Sequence, residues 1–422
     1  MTIVSLICFF ILILIILSTF RKEADVLSPA RVFGFIWALA IGLTDLKLSS
    51  YQHIWSLYSW IVLLSGILSL FVGIFVVYLS YMNKRLLSIQ EIRNKVVAIS
   101  YEYIDTKKFF WCIIILFFAY LASYAIEVVI EGNVPLFSPR PDILRVEFGV
   151  FGLHLIVNAM MGIVLLAVEY LLVAPREGHR KLIINFIIIV SFVTYFFLLQ
   201  RYTFFVVIVI AVVMIYYCSR YLRFYIMVPF GSAFIVMLFW INSIRSARFV
   251  QNYIFMTSKM KISKDYWLLA EPYMYITMNL ENFTRAVDKL DHYFYGYFTF
   301  DWILALSGLK HWLKNYFNIE GLPYLISGYN TFTFHWWYYY DYGVFGVVLL
   351  PFLQGVIIAS LYYRLRTNPN MLTLMLYSCC VLVMLISFIM NPLYRLDFMS
   401  NIILLWIVHK FIIFKKPELS AR

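Results

Sequence analysis

The chain has 422 residues, of which 63% are hydrophobic and only 13% charged, and its mean hydropathy is +0.84. Soluble domains carry about 25% charged residues, so this composition excludes a soluble globular enzyme and describes a polytopic membrane protein. The net charge of +12 calls for no nucleic-acid partner, because the loops of membrane proteins concentrate Lys and Arg on one face.

Eleven apolar runs of near-spanning length follow one another, at residues 3–20, 32–46, 57–78, 110–130, 152–173, 182–199, 204–218, 226–241, 344–363, 371–390 and 402–414. A helix needs roughly 20 residues to cross hydrocarbon, so the expected fold is all-α with about eleven transmembrane helices. The first run has no basic residue before it and Arg21, Lys22 and Arg31 beyond it. A cleaved leader would show the reverse flanks, so this run reads as a retained helix.

Orientation follows from the basic residues. If the loop holding Lys84, Arg85, Arg93, Lys95, Lys107 and Lys108 is cytoplasmic, alternation places 20 Lys and Arg inside. The short outer loops then hold only Lys47, Arg140, Arg145, Arg201 and Arg395. This asymmetry predicts an outside N-terminus and an inside C-terminus. Three parts result: a transmembrane bundle at 1–242, a large outer loop at 243–343, and a second bundle with an inner tail at 344–422.

The outer loop carries two helical patterns. Tyr273, Ile276, Leu280, Phe283 and Val287 recur at steps of three and four, with Glu281 and Arg285 paired on another face. Trp302, Leu306, Leu309, Leu313 and Phe317 repeat that spacing, with Lys310 and Lys314 off the stripe. Both predict amphipathic helices lying on the bilayer or capping the bundle.

Cofactor signatures are missing. The five cysteines all fall inside apolar runs with no CxxC pair, and the seven histidines form no HExxH. There is no GxxxxGK[ST] and no DxD pair. The expectation is chemistry without a metal, a nucleotide or another cofactor.

Two groups of residues point to chemistry. The first is arginine on the outer face: Arg140 and Arg145 in "GNVPLFSPRPDILRVEFG", Arg201 in "LLQRYTFF", and Arg245 and Arg248 in "NSIRSARF". A guanidinium near hydrocarbon is costly, and its planar fork matches phosphate oxygens. The three prolines of the first stretch predict a stiff, extended loop. The second group is "HWWYYYD" at 335–341, where His335 and Asp341 flank Trp336, Trp337 and Tyr340, with Tyr329 and Asn330 just before. Trp and Tyr gather at membrane interfaces, which accounts for most of the rings but not for the histidine or the carboxylate. Aromatic faces also stack on sugars, and an imidazole titrating near neutrality can take a proton from a hydroxyl.

The layout resembles the Wzy-type O-antigen, or oligosaccharide repeat-unit, polymerases of bacterial inner membranes. The resemblance rests on "GNVPLFSPRPDILR" after the fourth run, "QRYTFF" between two runs, and the long outer loop ending "GYNTFTFHWWYYYDYGVFGVVLLPFLQG". It implies a GT-C-like, metal-independent glycosyltransferase at the periplasmic face. Donor and acceptor would both be undecaprenyl-diphosphate-linked oligosaccharides, and a chain-length regulator protein could be a partner. The implied roles are diphosphate binding by Arg140, Arg145, Arg201, Arg245 and Arg248, catalysis by His335 and Asp341, and sugar binding by Tyr329, Asn330, Trp336, Trp337 and Tyr340. O-antigen ligases share the layout and differ in acceptor. A transporter or flippase is the reading from another class. Transporters often show related halves and charged midplane helices, whereas this chain shows no half-to-half similarity and crowds its polar residues on one face, Asp45 and Glu169 excepted.

Overall fold

The computed structural model describes residues 2–21, 24–174, 178–219, 255–263, 267–317, 325–326 and 328–413. Among them the elements are helices, with no strand: α1 (Ile3–Thr19), α2 (Pro29–Asp45), α3 (Leu57–Tyr81), α4 (Ile89–Tyr103), α5 (Thr106–Glu131), α6 (Pro141–Glu147), α7 (Leu153–Asn158), α8 (Met160–Val173), α9 (Gly178–Phe196), α10 (Arg201–Cys218), α11 (Trp267–Lys289), α12 (Asp301–Leu306), α13 (Leu309–Phe317), α14 (Trp336–Thr367), α15 (Met371–Ile386) and α16 (Leu396–Ile412). Ten of the eleven apolar runs fall on these helices, and the run at 226–241 lies outside the described residues.

Among the described residues six helical stretches are long and apolar enough to cross a membrane, and α1 and α15 are shorter apolar helices. The chain is therefore an all-α protein built for a lipid bilayer. The finer count of eleven is not reached, and length is one reason. Helices α2 and α16 stop at 17 residues, about 25 Å at 1.5 Å per residue against a hydrocarbon core of about 30 Å.

Two compact units emerge, at Met1–Lys84 with Tyr221–Tyr363 and Val383–Tyr394, and at Arg85–Arg220 with Arg364–Leu382 and Arg395–Arg422. In the first, α1 packs on α2, and the buried Asp45 accepts both the N–H and the hydroxyl of Ser5 at 3.2 and 2.8 Å. A carboxylate at a helix end thus has its partners on the neighbouring helix. In the second, α8 packs against α5, α9 and α10. Its Glu169 lies 2.7 Å from Nε2 of His409 on α16, both fully buried.

The pattern at 273–287 does form a helix, α11, packed on α2 and α3. The expected polar face, however, is not at the surface. Thr277, Asn279, Glu281, Asn282 and Thr284 are all buried, as are Leu280 and Phe283. Glu281 and Arg285 do not pair with each other; each reaches into the loop between α2 and α3. The second pattern is broken at Gly308 (φ +75°) into α12 and α13. There Trp312 and Tyr316 are about four-fifths exposed, as an interfacial helix requires.

Candidate functional site

The stretch opening α14 forms a short helical piece that ends at Gly343 (φ 58°, ψ −143°). A Cβ there would lie 2.7 Å from the Tyr293 hydroxyl, so the break needs glycine for both its backbone angle and its room. The expected rim of sugar-facing rings is packed inward instead. Trp336, Trp337 and Tyr340 are 0%, 8% and 3% exposed. Trp336 is stacked between Phe332 and Tyr340, at centroid distances of 4.7 and 5.0 Å. Trp337 stacks on Phe298 at 4.2 Å.

His335 is fully buried, with its ring 5.2 Å from Trp37, 5.7 Å from Phe283 and 3.9 Å from Phe334. Its Nε2 lies against Gly66 of α3, where any added Cβ would collide with it. Burial among these groups pushes the imidazole down to about 3, so it is neutral at physiological pH and a weak proton acceptor. Asp341 is also fully buried, and its carboxylate accepts the backbone N–H groups of Phe298 and Thr299 at 3.3 and 2.5 Å. It latches the 294–300 turn onto α14, a turn that also bonds the carbonyls of Tyr340 and Asp341. His335 and Asp341 thus flank the rings in sequence without meeting a common opening.

The same unit carries a second group that does reach the surface. The loop joining α2 to α3 is held by dense hydrogen bonding. Gln52 accepts from Ser49 N–H and the Tyr273 hydroxyl and donates to the Thr44 carbonyl. Ser49 and Ser50 bond to the carbonyls of Ser258 and Lys259. On this support Glu281 receives the Trp55 indole N–H at 2.9 Å and stands 2.7 Å from His53 Nδ1. The His53 side chain is 38% exposed and the Glu281 side chain 0%.

Arg285, one turn along α11, donates to the Tyr51 carbonyl at 3.0 Å. The Tyr51 ring meets that of Tyr329 edge to face at 6.3 Å, and Lys259 lies 4.9 Å above it. Asn282 fastens the segment around Tyr329 by donating to the carbonyls of Tyr329 and Thr331 and accepting the N–H of Ile326. Asn330 is exposed beside it. One of the expected sugar-binding residues, Tyr329, therefore shares a face with Tyr51, Arg285 and Lys259. Such a face can stack on a sugar ring and attract an anion.

The expected diphosphate residues fall in the other unit or outside the description. Arg245 and Arg248 lie outside the described residues. The proline-rich stretch is not extended throughout: it makes a 3₁₀ turn at Pro135–Phe137 and then α6, because prolines at the first position of each suit a helical start. Arg140 is exposed at the head of α6, and Arg145 is half-buried in its last turn. The turn is tied to the loop before α10 by Leu136 N–H to the Phe197 carbonyl.

Arg201 opens α10 beside Tyr202, whose ring lies 4.4 Å from the Arg395 guanidinium. Arg395 in turn makes a two-pronged pair with Asp397 at 2.9 and 2.7 Å. Asp397 and Tyr202 line a small cavity together with Asn158, Thr203 and Asn401.

Sequence reasoning missed His53, Trp55 and Glu281 as a group, and counted Arg395 only as a loop charge. No local pattern announces the first: His53 and Glu281 are 228 positions apart. Among the described residues no three His, Cys, Asp or Glu side chains converge as a metal site would require. No family model, curated protein or solved structure matches the chain.

Proposed function

We propose that this chain is a glycosyltransferase that joins undecaprenyl-diphosphate-linked oligosaccharide repeat units into O-antigen or a related surface polysaccharide. The reaction lies at the outer face of a bacterial inner membrane, with the N-terminus outside and the C-terminus inside. The observation that carries this reading is the face formed by Tyr51, Tyr329, Arg285 and Lys259 at the head of a membrane helix. A sugar held on a membrane lipid needs aromatic stacking and cations at that height, and this face offers both. Arg285 and Lys259, on that face, are the candidates for phosphate oxygens. Of the residues first expected in catalysis, His335 and Asp341 are assigned to support of the fold, because each is sealed by its packing.

A ligase would use the same chemistry on another acceptor. The buried Glu169–His409 pair favours a transporter, since paired ionisable groups between helices often mark ion paths. One experiment separates the three. The gene is deleted in its host, and surface glycan and lipid-linked intermediates are compared before and after complementation. The expected result is loss of the glycan ladder with accumulation of single lipid-linked repeats, restored by the intact gene but not by Arg285→Lys. A full ladder in the deletion strain overturns the reading. Loss of glycan attachment with intact lipid-linked polymer assigns the ligase, and lipid-linked repeats trapped on the inner face assign the flippase.

A further inference from the structure

Among the described residues histidine meets glutamate at three places, and the three differ in what is left for the far ring nitrogen. His409 is 1% exposed, sealed between α16 and α8. His154, 22% exposed, has Nδ1 3.0 Å from Glu127 and Nε2 3.4 Å from the Gln200 amide, so both nitrogens are occupied. His53 is different. Its Nδ1 is 2.7 Å from Glu281, its side chain is 38% exposed, and no described side chain bonds Nε2.

A buried carboxylate behind an outward imidazole fixes the ring and stabilises the cation formed when the outer nitrogen takes a proton. Glu281 is itself fixed by the Trp55 indole. The Lys47 ammonium donates to the His53 carbonyl at 2.9 Å, which pins the backbone of the same residue. The ring is therefore placed before any ligand arrives, in the loop that also carries Tyr51.

We propose that His53, oriented by Glu281, is the general base that takes the proton of the acceptor sugar hydroxyl. The proposal rests on the glycosyltransferase reading above. The acceptor oxygen forms its bond to the anomeric carbon of the donor as that carbon's bond to the diphosphate oxygen breaks. The electron pair of the broken bond leaves with the lipid diphosphate, and the hydroxyl proton passes to His53 Nε2. The Glu281 carboxylate lies 2.7 Å from Nδ1 and also receives the His53 backbone N–H at 3.5 Å, so the charge of the imidazolium develops beside a countercharge. His53 is the catalytic residue and Glu281 a positioning residue.

The test uses the full chain in proteoliposomes, with lipid-linked oligosaccharide extracted from host cells lacking the gene. His53→Ala is expected to lower elongation by about a hundredfold to ten-thousandfold, the usual loss for a missing general base. Added imidazole should restore part of the rate, which a purely structural role would not allow. Glu281→Gln should lose less, about tenfold. Should that variant fail to accumulate, the surface change at His53 still decides. His292→Ala, at an exposed histidine, should leave the rate unchanged. Diethyl pyrocarbonate, read by peptide mass, should label His53 and spare His335 and His409. Full activity of His53→Ala beside an inactive Arg285→Lys overturns the base assignment and leaves the transferase reading standing. Failure of the unaltered chain to elongate the lipid-linked repeats overturns that reading, and the base assignment with it. Loss of activity in His53→Ala without any imidazole rescue, or protection of His53 from the reagent, also overturns the base assignment.

Discussion

The stretch at 332–342 and the loop at 46–56 each set a histidine among aromatic rings in the same compact unit, yet only one of the two histidines reaches the surface. His335 is enclosed by Trp37, Phe283, Phe334 and Gly66. His53 stands on Glu281 with its outer edge open. The difference lies in where the carboxylate sits. Asp341 spends both oxygens on backbone N–H groups of a turn, whereas Glu281 receives an indole on one oxygen and on the other the His53 backbone N–H, with the imidazole Nδ1 2.7 Å away. Aromatic density in a membrane protein therefore marks packing first. A site appears where a buried acid is left with one bond to give to a surface group.

The sharpest way to break this comparison is to empty the packed stretch. Trp336→Ala removes a ring stacked on both sides and fully buried, which typically costs about 3–5 kcal/mol. Membrane abundance and the thermal midpoint in detergent should both fall sharply, with the Tyr51–Tyr329 face affected only through lost protein. Normal abundance and midpoint with abolished transfer would return Trp336 to the sugar.

Much of this architecture is legible in the sequence. Hydropathy alone places ten of the apolar runs on helices among the described residues, since lipid leaves the backbone no other way to satisfy its N–H and C=O groups. The stripe at Tyr273, Leu280, Phe283 and Val287 also gives α11 correctly. What it cannot give is that the opposite face of α11 is buried too, because Asn279, Asn282 and Glu281 are partnered by segments far along the chain. Tyr329 and Asn330 are readable as surface aromatic and amide groups, while Trp336, Trp337 and Tyr340 are not separable from them by composition. His53 and Glu281 meet only after α11 folds back on the head of α3. Pairing at such separation leaves no periodic trace in one sequence.

A smaller effect tests the enclosure of His335 by pH. The unfolded chain protonates this imidazole near 6.5, and the folded chain not until about 3. Between those values the unfolded state binds the extra proton, so stability falls as the medium is acidified through that window. By pH 5 the loss from this one group is about 2 kcal/mol. The variant His335→Leu should lack that share, so its thermal midpoint should fall less between pH 7 and pH 5 than that of the unaltered protein. Other titrating groups act equally on both proteins and cancel in the difference. An identical pH dependence would mean that the imidazole is already exposed to protons, as a working base would be.

The smallest expected effect lies on the open face, where loss of a ring should change binding and leave folding alone. Tyr329 is half-buried, with its ring edge to face against Tyr51, and its backbone is held by Asn282 whatever side chain it carries. Truncation to alanine therefore removes a stacking surface without releasing the segment. An aromatic contact of this kind is worth about 0.5–1.5 kcal/mol, or roughly a twofold to tenfold change. Because a stacked sugar is held as well in the ground state as in the transition state, the change should appear in KM with kcat nearly preserved. Tyr329→Phe should stay close to the unaltered protein, since the ring remains. Elongation rates across a range of lipid-linked acceptor concentrations would separate the two parameters. A fall in membrane abundance matching that of Trp336→Ala would show that both stretches are packing, and the contrast between them would be lost.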